Sequence, residues 1–171
     1  MLETKYLKED VRNIQKLLAI PIFKHFEIEN LGGLVKRSKI REYADNEQII
    51  KEGDNDPWFY FLLSGKVAIM KKGEMISTLQ RSGDVFGEMS LIDNSKRSAS
   101  AYAIGKTICL ATDTVRIKEI SGDDWIIFGY ILYRIFAITI TERLRSTTDQ
   151  LIKAKEQLEE IKHKNNPSCS P

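Results

Sequence analysis

The amino-acid sequence predicts a mainly β fold with flanking helices: a jelly-roll-like barrel or sandwich between short N-terminal helices and one long C-terminal helix. Three observations carry that expectation. Residues from about 39 to 120 break into short runs rich in β-branched and aromatic residues, at the roughly 8–12-residue spacing of a sandwich or barrel. Residues from about 122 to 163 contain no proline and hold an apolar repeat of helical period. The chain of 171 residues is 42% hydrophobic and 29% charged, a composition that can bury a core and is not that of a disordered chain.

The first 36 residues read as helical but patchy. Val11, Ile14, Leu17 and Leu18 recur at helical spacing, Pro21 interrupts, and Ile22-Phe23 begins a second short helix. Gly32-Gly33 then punctuates before a basic cluster, Lys36, Arg37, Lys39 and Arg41, which reads as a solvated face. The predicted strands follow: Ile40 to Tyr43, Gln48 to Lys51, Trp58 to Leu63, Lys66 to Lys71, Met75 to Leu79, Ser98 to Ala103, Thr107 to Ala111 and Val115 to Ile120. Gly53-Asp54, Ser64-Gly65, Lys72-Gly73, Ser82-Gly83 and Ile104-Gly105 separate them as turn signals. Pro57 stands at the start of a run, where its missing N–H does no harm.

In the last segment Ile126, Tyr130, Tyr133, Ala137, Ile140, Leu144, Thr147, Leu151, Ala154, Leu158 and Ile161 follow alternating steps of four and three. That is an a/d seam held for about five heptads, the pattern of a helix that pairs with a second copy of itself. Docking along its own barrel explains the first half of the seam equally well, but not the second. The flanking positions are not charge-matched, for example Arg143 with Thr148 and Gln150 with Lys155. The expected organisation is 1–36 N-terminal helical segment, 37–120 β-roll, 121–163 long helix and 164–171 frayed tail.

Composition excludes several functions. A net charge of +2 is too small to argue for a nucleic-acid wrap. Cys109 and Cys169 form no CxxC or metal-type pair, and the only histidines, His25 and His163, do not make the converging set that a metal enzyme on a jelly roll needs. The opening residues Met1 to Lys5 lack the apolar run of a signal peptide, and the longest apolar stretch, Trp125 to Ile140, is broken by Arg134. The expectation is a cytoplasmic protein without membrane contact.

Chemistry concentrates between residues 83 and 103. A strand ends at Gly87, which lets the backbone come close to another group. Glu88 to Ile92 would form one helical turn whose first N–H groups suit an anion. A turn from Asp93 to Lys96 returns the chain to Arg97, a forked and permanently charged donor. Glu88, an acceptor only, suits a hydroxyl pair. Phosphate plus sugar hydroxyl describes a nucleotide, although an ion pair between Arg97 and Glu88 is a second reading.

This segment, Phe86-Gly87-Glu88-Met89-Ser90-Leu91 followed by Arg97-Ser98-Ala99, resembles the phosphate-binding cassette of cyclic-nucleotide-binding domains. Ile49-Ile50-Lys51-Glu52-Gly53-Asp54 and Tyr60-Phe61-Leu62-Leu63-Ser64-Gly65-Lys66-Val67 resemble the same family's upstream landmarks. Asn46 departs from the family's usual glycine, a change that asparagine tolerates in the left-handed region. The resemblance implies an eight-stranded β-roll and a non-enzymatic receptor. In it Arg97 and Ser98 would hold the cyclic phosphate, Glu88 the ribose 2′-hydroxyl, Gly87 the close approach of the ribose, and Met89 and Ser90 would offer N–H groups. Ile69 would lie against the base. Arg143 to Thr148 resembles the dimerisation helix of the bacterial catabolite activator, which places Thr147 and Thr148 toward adenine. The resemblance therefore implies cAMP ahead of cGMP as ligand, no cofactor and no metal. It also implies a homodimer whose long helix relays binding to a downstream protein. Only a handful of residues follow Ile161, so direct DNA binding through a helix-turn-helix domain is not expected. The alternative is a dimeric scaffold with a degenerate site or another small effector.

Overall fold

A computed structural model describes residues 1–8, 15, 17–24, 28–93, 95–118 and 123–165. Val11, Ile14, His25 and the tail from 166 onward lie outside the described residues. Two compact units are present, Met1–Ile135 and Phe136–Pro171.

The first unit is built on one antiparallel sheet of seven strands: β1 (Leu2–Glu3), β2 (Ser38–Tyr43), β3 (Gln48–Ile50), β4 (Trp58–Lys71), β5 (Glu74–Leu79), β6 (Val85–Phe86) and β7 (Ser100–Asp113). Its order is β1-β2-β7-β4-β5, with β3 also pairing β7 and β6 pairing β4. Among the described residues the helical elements include a 3-10 turn at Pro21–Phe23, α1 (Ile28–Lys36), α2 (Met89–Asp93), α3 (Thr114–Lys118) and α4 (Asp123–Asn165), and α4 runs on into the second unit.

Several expectations are corrected by local chemistry. The runs Trp58–Leu63 and Lys66–Lys71 are one strand, β4, which continues through Ser64-Gly65. Gly65 takes φ 92, and a Cβ there would stand 2.6 Å from the Lys106 carbonyl oxygen. Register against β7 shifts on both sides of Ser64, so the glycine bends the strand where the sequence suggested an end. Ser98–Ala103 and Thr107–Ala111 merge likewise into β7. Val115 to Ile120 was expected as a strand, yet Thr114–Lys118 is helical. The Asp113 carboxylate accepts the Val115 N–H at 2.9 Å and thereby caps the helix start. Leu2–Glu3 is a strand on the edge of β2, not part of a helical segment. Gly32-Gly33 lies inside α1. A Cβ on Gly33 would sit 3.3 Å from the Phe128 ring, so that glycine admits an aromatic side chain to the helix.

The run Phe59 to Leu62, aromatic but for its last residue, is buried on both faces of β4. Tyr60 and Leu62 join the roll core with Tyr43, Ile50, Val67, Phe86, Ala103 and Cys109. Phe59 and Phe61 face the other way, Phe61 with its ring centroid 4.9 Å from that of Phe23. Asn46 adopts φ 60, the left-handed turn conformation anticipated for it. The basic cluster is not simply a solvated face. Arg41 is 9% exposed, and Arg37 donates to the carbonyls of Gly33 and Arg116 at 3.0 and 2.8 Å.

Two faces of α4 separate cleanly. Phe128, Ile131, Leu132 and Ile135 are buried in the first unit, at the i, i+3, i+4, i+7 spacing of a core-facing stripe. Every position of the four-three seam, from Ile126 to Ile161, is exposed. The seam is therefore a different face from the one that serves the roll.

Candidate functional site

The site is a loop between β6 and β7. Phe86 ends β6 stacked on Tyr60, centroids 5.1 Å apart and planes at 14°. Gly87 then takes φ 77, and a Cβ on it would meet Arg97 Nη1 and Ile50 Cδ1, each at 2.9 Å. Only a residue without a side chain fits that corner. Glu88 follows, 1% exposed, and its carbonyl accepts the Leu91 N–H at 3.0 Å as α2 begins. Asp93 accepts the Ser95 N–H at 2.9 Å, which shapes the turn back toward Arg97. The Gly53-Asp54 turn clamps the returning backbone: Arg97 N–H donates to Asp54 O at 3.0 Å and Gly53 N–H to Arg97 O at 2.9 Å.

The Arg97 guanidinium is 4% exposed and almost fully engaged. Nη1 donates to the Gly87 carbonyl and to Ser90 Oγ, the latter at 2.7 Å. Nη2 donates to the Asp56 carbonyl at 2.7 Å and to the Trp58 carbonyl. The Asp56 carboxylate lies 3.5 Å away. Nε is the one buried side-chain nitrogen or oxygen among the described residues that lacks a hydrogen-bond partner. A cavity of about 210 Å³, lined in part by Asp56, Ser90, Leu91 and Thr114, opens beside these groups.

Gly87, Glu88, Met89, Ser90, Arg97 and Ser98 thus lie in one loop. Ser98 Oγ points to Met89 Sδ at 3.6 Å, and Met89 is 49% exposed. Ile69, on β4, packs partly buried against the roll core. Thr147 and Thr148 belong to the second unit, where the Thr148 hydroxyl donates to the Leu144 carbonyl at 2.8 Å. Asp56 and Trp58 were missed in the sequence. They read there as a turn acid and the first residue of a strand, and nothing in their spacing from Arg97 announces that their carbonyls receive it. Cys109 is buried and its thiol is pushed up to about 12 by that burial, so it stays protonated at neutral pH.

A hydrophobic β-roll with an interrupted loop carrying a buried arginine is the class this architecture defines. The cyclic nucleotide-binding domain model matches residues 40–124. A cAMP-dependent protein kinase regulatory subunit from Mycosarcoma maydis is 28% identical over 109 residues, covering 61% of this chain and 20% of that protein. A cGMP-dependent protein kinase from Toxoplasma gondii is 37% identical over 82 residues, 48% of this chain and 8% of that protein. The chain therefore spans about a fifth or less of these two curated relatives. A solved cyclic nucleotide-binding domain from Methylobacillus flagellatus superposes with a TM-score of 0.70 at 23% identity, covering 83% of this chain and 82% of the other. The chain belongs to the cyclic nucleotide-binding domain family, whose β-roll and C-terminal helix it shares.

Proposed function

We propose that this chain is a cyclic-nucleotide receptor module that binds cAMP in preference to cGMP and works as a homodimer. The observation that carries the reading is Arg97 Nε, buried without a partner at the corner formed by Gly87. An unpaired buried N–H of a charged group is costly, and a cyclic phosphate would satisfy it by a charge-assisted bond. Ser98 and the N–H groups of Met89 and Ser90 would complete the phosphate contacts, and Glu88 would accept from the ribose hydroxyl. Ile69 would face the base. Thr147 and Thr148 would favour adenine from the long helix, the Thr148 oxygen accepting from the amino group while its proton stays on the Leu144 carbonyl.

The exposed seam of α4 supports the dimer. Leu144, Leu151 and Leu158 are each more than half exposed, and a second seam would cover them knobs-into-holes. Ligand binding would bias the helix between two arrangements, which a downstream protein reads. Such a shift requires different affinity for the two states. The reading is one of binding without turnover.

Calorimetric titration of the nucleotide-stripped protein with cAMP and cGMP tests it. The expected result is saturable binding near one ligand per chain, tighter for cAMP. Absence of heat and of any thermal shift with both nucleotides would overturn it in favour of a scaffold or a different effector.

A further inference from the structure

A line of polar groups runs from the N-terminal strand to the buried arginine. Glu3, on β1, accepts from Arg41 Nε at 3.0 Å and from Lys39 Nζ at 2.9 Å. Arg41 Nη1 donates to the Tyr60 hydroxyl at 3.0 Å. That hydroxyl donates to Asp56 Oδ2 at 3.4 Å, and Asp56 Oδ2 stands 3.5 Å from Arg97 Nη2. The last two contacts are long, yet they converge on one carboxylate oxygen, and Tyr60 is only 1% exposed. Polar contacts shielded in this way are felt more strongly than the same distances at a surface.

The directions of the bonds agree. The Tyr60 oxygen accepts from Arg41 and its proton is directed at Asp56, with the Tyr43 hydroxyl also beside it. Asp56 then presents charge to Arg97, while its own carbonyl takes an Arg97 N–H. Arg41 reaches the same place by a second route. Its guanidinium lies 4.0 Å from the centroid of the Trp58 ring, and Trp58 supplies the other carbonyl to Arg97 Nη2. Both acceptors of that nitrogen are therefore braced by one residue on β2, which in turn is held by Glu3.

We propose that Tyr60 and Arg41 are positioning residues for Arg97, and that through Glu3 the N-terminal strand sets how tightly the loop holds a cyclic phosphate. The inference rests on the receptor reading above. It assigns to β1 a role beyond covering the edge of β2: when β1 is paired, Asp56 and the Trp58 carbonyl fix Nη2 and leave Nε presented; when β1 detaches, the arginine loses that orientation and affinity falls.

The experiment titrates cAMP into nucleotide-stripped wild type, Tyr60→Phe, Glu3→Gln, Asp56→Asn and the Tyr60→Phe/Asp56→Asn double variant. Thermal unfolding is recorded for each. Tyr60→Phe removes the hydroxyl and keeps the ring stacked on Phe86. It should weaken binding roughly two- to tenfold, and Glu3→Gln by a smaller factor in the same direction. In the Asp56→Asn background Tyr60→Phe should add nothing, since both act through one carboxylate. A merely structural role would lower thermal stability and leave affinity at the wild-type value. Wild-type binding with unchanged affinity in both Tyr60→Phe and Glu3→Gln overturns the relay and leaves the receptor reading standing. Persistence of the full Tyr60→Phe effect in Asp56→Asn overturns it as well. If wild type binds neither cAMP nor cGMP, the receptor reading falls and the relay with it. Should Tyr60→Phe fail to fold, Glu3→Gln, at the partly exposed end of the line, decides alone.

Discussion

The two units differ in how far their apolar residues are covered. In Met1–Ile135 the residues Phe59 to Leu62 of β4 are covered on both faces, by Phe86 and Tyr43 on one side and by Phe23 on the other. In Phe136–Pro171 the seam positions Ile140, Leu144, Leu151, Leu158 and Ile161 are between 45% and 65% exposed. The α4 stripe at Phe128, Ile131, Leu132 and Ile135 belongs to the first pattern and the seam to the second, on one continuous helix. A β-roll closes its core within its own chain because strands distant in sequence pair through β7. A heptad seam has only a local partner, the next turn of its own helix, and that turn leaves it exposed.

The largest test of that contrast is to charge the seam. Leu144→Asp with Leu151→Asp would bury two carboxylates per chain in a paired helix, each at a cost of several kcal/mol. Size-exclusion chromatography with light scattering should show the wild type as a dimer and the variant as a monomer, with nucleotide binding retained by the roll. A wild type that is monomeric at high concentration would remove the contrast's meaning. Next in size is Arg97→Ala, which deletes a charge-assisted contact of about 1.5–3 kcal/mol. Calorimetry should show a larger loss of cAMP affinity than for Glu88→Ala, which removes a hydroxyl contact; equal losses would reassign the phosphate.

Gly87→Ala should cost about 1–2 kcal/mol from the left-handed backbone alone, with a further loss from contact with Arg97 Nη1 and Ile50. Denaturant unfolding measures the first, and titration should show weaker binding. The smallest effect concerns acid. Hydrogen bonding from Lys39, with further help from Arg41, holds the Glu3 carboxyl below its ordinary value of 4.5 against a smaller opposing effect of burial. A lowered folded value means that this contribution is present above 4.5 and is lost as pH falls through the folded value. The protection of the β1 amides, taken relative to their intrinsic exchange rate at each pH, should fall by a small factor below pH 4.5, as expected for a solvent-screened pair, and Glu3→Gln should abolish that acid dependence.

Much of the roll was legible from residue order. Strand-forming runs, the Asn46 turn, the short helical turn after Gly87 and the return to Arg97 are encoded by neighbours, through φ preference, capping and period-two patterning. What failed also failed for physical reasons. Val115 to Lys118 has strand composition but follows a capping aspartate. Gly32-Gly33 has the composition of a break but lies within a helix against an aromatic ring. Ser64-Gly65 has the look of a turn, whereas backbone packed across from it allows only a bend.

The candidate site divides along the same line. Gly87, Glu88, Arg97 and Ser98 were readable because one loop carries them, at a spacing that the chain's own geometry dictates. Asp56, Trp58, Tyr60, Arg41 and Glu3 were not, because they come from a turn and three strands, and their contacts with Arg97 and one another exist only after β1, β2, β4 and β7 pair. Residue order by itself determined the alternation of the strands, the loop with its arginine and the four-three seam, since each depends on interactions spanning a few residues. Tertiary structure alone decided which face of α4 is buried, which acceptors engage Arg97 and what stands behind them. Those outcomes depend on long-range strand register, and a register is a property of pairs of segments that neither segment carries alone.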